Sequence, residues 1–232
     1  MALLEVVALH AADAERAEAG GADRVEVRGA LGADALSPEP AVVAKVRAAT
    51  SVQVRVLVRL RAGFGTDGGE ATRLRGLIAS YLGAGADGLA FGFLNGLGEV
   101  DGEVIGALTE DGDWPWTFHR ALDYCLDGDK AWTALRRLPR CDQVLTAGSA
   151  RGVEHGLDEL VRRARSDEWA AARILAGVGL APEHVPWLAR AGVRAFHVGA
   201  CVRPSGTERA YVDEAQVRSW RTLIDAECRR VR

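Results

Sequence analysis

Lysine is nearly missing from this chain: only Lys45 and Lys130 occur, and almost all the positive charge is arginine. With no lysine at a predicted strand end, a Schiff-base mechanism is disfavoured. Methionine is reduced to Met1, and the four cysteines, Cys125, Cys141, Cys201 and Cys228, form no CxxC pair. A soft-metal motif of clustered thioethers or paired thiolates is therefore absent. Scattered thiols fit a reducing cytoplasm better than a disulfide framework. No run approaches the roughly 18 consecutive apolar residues of a membrane span. The first residues lack a charged n-region followed by a long apolar stretch, so no signal peptide is expected. A net charge of −3 favours neither nucleic acid nor an anionic membrane as partner.

What is present is a strict alternation. Short β-rich runs fall at 3–8, 24–27, 52–59, 88–92, 116–119, 143–147, 174–178 and 195–198. Between them lie Ala-rich or amphipathic segments at 11–19, 40–49, 70–83, 103–110, 130–138, 153–166, 182–191 and 214–230. Eight such units predict a parallel sheet with helical crossovers, closed as a TIM-type (β/α)8 barrel rather than a doubly wound sheet. With no linker or composition shift, 1–232 is expected to be one domain. Gly20–Gly21, Gly83–Ala84–Gly85 and Ala191–Gly192 place glycine where left-handed helix ends are wanted.

Strand residues alternate between faces, so each strand can be sorted. Val25 with Val27, and Val54, Val56 and Val58, form apolar faces suited to packing on helices. Their opposite faces send Arg24, Glu26, Arg55 and Arg59 inward, joined by Glu5, His119 and His197. Buried charges need partners, because desolvation costs several kcal/mol per ion. Arg24 and Arg55, near the strands' N-terminal ends, read either as an internal plug or as part of a site. Glu26, Arg59 and His119 sit at C-terminal ends, where barrel enzymes place their chemistry.

The run Thr117–Phe118–His119–Arg120–Ala121–Leu122–Asp123 sets an imidazole, a guanidinium and a carboxylate where a strand meets a loop. In an enzyme reading, His119 is the general acid or base, Asp123 orients its ring and Glu26 is the complementary base. Arg59 and Arg61, with Arg120 and Glu5 nearby, would hold a small phosphate or carboxylate. Gly177, Gly179 and Gly199 follow the seventh and eighth strands, where barrels often bind phosphate through backbone amides. Glu5, Glu26 and His119 also offer mixed ligands for a hard cation, against which the two arginines argue. His155 and His184 read as helix-surface groups.

The chain resembles the CutC family, the cytoplasmic copper homeostasis proteins, from its first residues to about Pro204. The matching stretches are Leu3–Leu4–Glu5, Gly21–Ala22–Asp23–Arg24–Val25–Glu26, Arg59 with Arg61, Gly92, Val100–Asp101 and the run from Thr117 to Asp123. Val144–Leu145–Thr146 and Ala176–Gly177–Val178–Gly179 extend it. The resemblance implies a TIM-type barrel, a cytoplasmic location, self-association as a dimer or higher homo-oligomer, and a role named from copper tolerance. If copper(I) is bound, Cys125 beyond the run and Cys201 after the eighth strand are the candidate thiolates. The chain departs from the family in Asp34–Ala35–Leu36–Ser37–Pro38–Glu39, which lacks both family glycines. Leu60 replaces a proline, and His197–Val198–Gly199–Ala200 stands where His-Ser-Ser is usual.

Overall fold

In the computed structural model, residues 2–31, 35–110 and 112–231 are described. Asp34, one of the departures from the family loop, lies outside them. The strands are β1 (Leu3–Ala8), β2 (Arg24–Val27), β3 (Gln53–Leu57), β4 (Gly88–Phe91), β5 (Trp116–Phe118), β6 (Cys141–Thr146), β7 (Ile174–Ala176) and β8 (Ala195–Val198). They pair in sequence order, all parallel, and β8 returns to β1 to close the barrel. The helices are α1 (Ala11–Ala19), α2 (Pro40–Ala49), α3 (Gly68–Gly83), α4 (Gly102–Thr109), α5 (Gly128–Leu135), α6 (Val153–Ser166), α7 (Glu168–Ala171), α8 (Val185–Arg190) and α9 (Glu214–Arg230).

Local chemistry explains the boundaries. Asp67, Asp101, Asp127, Asp167 and Asp213 each accept a backbone N–H in the first turn of the helix that follows, satisfying amides with no helical partner. Gly21, Gly85 and Gly192 take positive φ after α1, α3 and α8, as their positions predict. Gly20 has a different reason: a Cβ there would lie 2.5 Å from that of Val217, so α1 ends against α9. The expected strands and helices are nearly all found. Beyond shifts at element ends, the differences include α7, a single unforeseen turn, and the segment expected to be helical at 182–191, which opens as a 3-10 turn, Pro182–His184.

The apolar core lies between barrel and helices. Val25, Val27, Val54, Val56 and Val58 are buried there, as alternation requires. Trp116 stacks on Phe91 with ring centroids 4.6 Å apart. Outside the barrel, buried Arg203 forms a two-pronged pair with buried Asp13 at 2.7 and 3.1 Å, tying the segment after β8 to α1. His184, expected at the surface, is buried, and its Nδ1 accepts the Ala181 amide at 3.0 Å.

Candidate functional site

The polar interior divides into two levels. Low in the barrel, Arg24 Nε donates to Glu5 Oε2 at 2.6 Å. Arg55 Nη1 donates to Thr117 Oγ1 and Asp142 Oδ1, both at 2.7 Å, and its Nη2 reaches Asp142 Oδ2 at 2.5 Å. These are the plug contacts that sequence position allowed for Arg24 and Arg55. Burial raises the Glu5 carboxyl, but Arg24, helped by His197, holds it well below the usual carboxylate range.

At the C-terminal mouth, Arg28, one residue beyond β2, caps the next layer. Its Nε donates to Glu26, and its Nη2 lies 3.3 Å from His197 Nε2. Guanidinium groups only donate, so Nε2 is the acceptor and Nδ1 carries the ring proton, facing Glu5 Oε1 at 2.7 Å. Gly177 makes this possible: a Cβ there would lie 2.7 Å from the His197 Cβ. Glu5, Glu26 and His197 bring three possible ligand atoms within 4.8 Å of one another, so His197 takes the place expected of His119 in that set. Arg24 and Arg28 already bond the two carboxylates and balance their charge.

Beside Arg28 opens a cavity of about 290 Å³, lined among others by Arg28, Arg120, Val178, Gly179, His197 and Gly199. It lies at the ends of β7 and β8, where phosphate sites in such barrels are found. Arg120 bonds Tyr124 Oη and the Ala150 carbonyl at 3.2 and 2.9 Å, yet its buried Nε has no partner among the described residues. Val178 takes φ 68° and Gly179 φ 75°. A β-branched residue at positive φ is a true outlier, and such strain clusters at functional sites. The amides of Val178, Gly179 and Leu180 find no acceptor among the described residues. Successive amides free of protein acceptors suit an anion.

His119 lies elsewhere on the mouth. Its ring meets Phe64 edge-on at 5.4 Å, and Arg59 stands over the same Phe64 ring at 5.0 Å. Burial, reinforced by Arg59, pushes the His119 pKa down to about 3, so the ring is uncharged at neutral pH. The Ala121 amide donates to Nδ1 at 3.2 Å, assigning the proton to Nε2. His119 thus presents an N–H at Nε2, its Nδ1 lone pair being taken by the Ala121 amide. A Cβ at Gly92 would sit 2.8 Å from Nδ1, which accounts for that glycine. Arg59 is buried, with Nε donating to the Gly63 carbonyl at 3.1 Å, and its backbone exchanges hydrogen bonds with Ser37. The departing loop thus anchors the β3 side of the mouth.

Asp123 does not orient the His119 ring. Its Oδ1 accepts from Thr146 Oγ1 at 2.5 Å, and its carboxylate takes the Ala147 amide at 3.0 Å, because the 3-10 turn Arg120–Tyr124 turns it toward β6. There Asp123 and Cys125 line an outer cavity of about 480 Å³ against α5 and α6. Burial raises Asp123 to about 6 and Cys125 to about 11. Cys201 lines the mouth cavity, and burial raises its pKa too. The two candidate thiolates thus line different cavities, and burial disfavours the thiolate form of each. Arg61 is half exposed and pairs with Glu70 at 2.9 Å, outside the mouth.

Of the expected anion ligands, the fold therefore gathers Arg120, Gly179 and Gly199, seats Gly177 behind His197, and keeps Arg59 out of the lining of that cavity. Arg28 was not foreseen. It continues the inward alternation Arg24, Glu26, Arg28, and that pattern was the available signal.

A closed parallel eight-stranded barrel with a charged interior and a cavity at its C-terminal mouth defines the class: a TIM-type barrel. Within that class, the CutC family model matches residues 2–202, and the chain belongs to the CutC family. A Klebsiella pneumoniae CutC family protein is 33% identical over 202 residues, covering 86% of this chain and 81% of the relative. One from Xanthomonas axonopodis pv. citri is 34% identical, covering 85% and 82%. The solved structure of a Streptococcus agalactiae CutC, described there in terms of copper homeostasis, is 24% identical with a TM-score of 0.76. It covers 86% of this chain and 98% of that one, and supports the fold alone.

Proposed function

We propose that this CutC-family chain binds a small phosphate or carboxylate metabolite at the β7–β8 mouth and works on it by acid–base chemistry, its part in copper homeostasis being indirect. The observation that carries this reading is the mouth cavity itself. It joins two guanidiniums, one with a buried unpartnered Nε, to a strained loop whose amides have no backbone acceptor among the described residues. Guanidinium forks and convergent amides are matched to phosphate and carboxylate. Proton return to the same substrate, as in isomerisation or epimerisation, fits a site with acid–base groups and needs no Schiff-base lysine.

Direct copper(I) binding has weaker support. The ion prefers thiolates, whereas Cys125 and Cys201 face separate cavities with raised pKa values. If copper is held there, the Cys125→Ala/Cys201→Ala double variant loses stoichiometric Cu(I). Four free cysteines support a reducing cytoplasm, and among the described residues no helix is long and apolar enough to cross a membrane. Exposed Leu97, Leu126 and Trp187 supply apolar surface for the proposed self-association.

The test is thermal denaturation of the full chain with inorganic phosphate and small carboxylates. About 100-fold excess over Kd raises Tm by about 5 °C in wild type, and the rise disappears in Arg120→Ala. No rise with any phosphorylated metabolite or carboxylate in a broad panel refutes the anion site.

A further inference from the structure

Resting on that anion site, we infer that His197 is its general base, backed by Glu5, and that Arg28 masks the base until a substrate anion draws the guanidinium away. The groups form one unbroken row. Arg24 bonds Glu5, Glu5 bonds His197 Nδ1, and Arg28 bonds both His197 Nε2 and Glu26. Glu5 fixes the tautomer that leaves a lone pair on Nε2, the atom on the mouth side, and stabilises the imidazolium that forms when Nε2 takes a proton. His197 is 4% exposed yet lines the cavity, so its ring borders the space a substrate would fill. His119 lacks this arrangement, since its Nδ1 lone pair is spent on a backbone amide.

Arg28 is the element that makes the device conditional. Its side chain keeps 11% of its surface exposed, against 1% for Glu26, and it lines the cavity directly. A phosphate or carboxylate entering there competes for the Nη2 donor that now occupies His197 Nε2. As Nη2 turns to the anion, the Nε2 lone pair is released toward the substrate. Glu26 retains the Nε contact, so the guanidinium pivots without leaving a buried carboxylate unpaired. The substrate class follows: a small metabolite whose anionic group lies close to a removable C–H or O–H proton. In the step, that bond breaks, its electron pair stays on the substrate, and the proton bonds to Nε2. Returning it to another substrate atom regenerates the neutral ring, so isomerisation balances with no co-reactant.

The experiment is a titration of ¹⁵N-labelled full-length protein with inorganic phosphate at fixed pH, following the imidazole nitrogens and the amides of Gly179 and Gly199. The expected result is saturable movement of both amides together with a shift of His197 Nε2, Nδ1 remaining protonated. Arg28→Met should show the shifted Nε2 signal before phosphate is added, and bind phosphate about tenfold more weakly. Amides that saturate while His197 Nε2 stays unchanged overturn the masking and leave the anion site standing. Amides that never move overturn the anion site and this inference with it. Because the wild-type titration decides by itself, an Arg28→Met variant that fails to fold does not remove the test.

Discussion

The two levels of the barrel interior hold the same residue types and use them differently. Low in the barrel, the Glu5 carboxylate is bonded by Arg24 and His197, and Arg55 is locked between Thr117 and Asp142. At the mouth, Arg120 leaves a donor unspent, Val178 is strained, and His119 is buried without charge. Paired charges in a closed space maintain the fold, whereas unsatisfied or strained groups beside a cavity are available to a ligand. The same arginine-rich composition thus yields a plug at one end and a candidate site at the other. Burial geometry, not residue identity, separates them.

The sharpest way to break this contrast is to truncate one member at each level. Glu5→Ala strands Arg24 in the interior and should cost about 3–5 kcal/mol. Arg120→Ala removes two exposed hydrogen bonds and should cost about 1 kcal/mol. Urea denaturation measures both, and equal losses would erase the distinction between plug and site.

The next effect is in the pH dependence. His119 titrates near 6.5 when unfolded but at about 3 in the fold. Its contribution to stability is therefore whole above 6.5 and falls away as pH drops toward 3. Asp123 runs the other way: 3.8 unfolded and about 6 folded, so its contribution is whole below 3.8 and is lost as pH rises through 6. Between 3.8 and 6 the two slopes oppose, each up to about 1.4 kcal/mol per pH unit. Asp123→Asn should steepen the loss of stability on acidification, and His119→Gln should flatten or reverse it. Denaturation series at pH 7, 5.5 and 4 would show no change in either variant if the two groups titrate alike in both states.

The smallest effect belongs to the strained loop. Val178→Gly relieves a β-branched residue at φ 68° and should stabilise the protein by about 1 kcal/mol. Phosphate affinity should fall in the same variant, because a looser loop presents its amides less well. A Val178→Gly protein that is less stable than wild type would show that the strain is not what the loop stores.

Much of the fold could be read in advance, because periodicity is a local property. β1, β2 and β8, and α1, α2, α6 and α9, begin and end where their patterns say. β6 instead starts at Cys141, two residues early, since the irregular pairing of Trp116 with Cys141 carries no signal in either segment. The site was legible in part. Alternation along strands identified the inward groups, and the glycines after β7 and β8 lie where expected. The pairing of His119 with Asp123 failed, because a 3-10 turn directs residues four apart to different sides. Arg28 went unnoticed because it stands just past the strand end, although its parity with Arg24 and Glu26 pointed inward.

The sequence alone settled the eightfold alternation, the inward face of each strand and the family. Which inward charges neutralise one another was decided only by the closed barrel. Closure sets β8 beside β1, bringing His197 against Glu5 across nearly the whole chain. Partnership at that separation depends on sheet register and ring closure, and no spacing along the chain encodes it. Few lysines and scattered cysteines only disfavour mechanisms, whereas the register places one histidine between a carboxylate and a guanidinium.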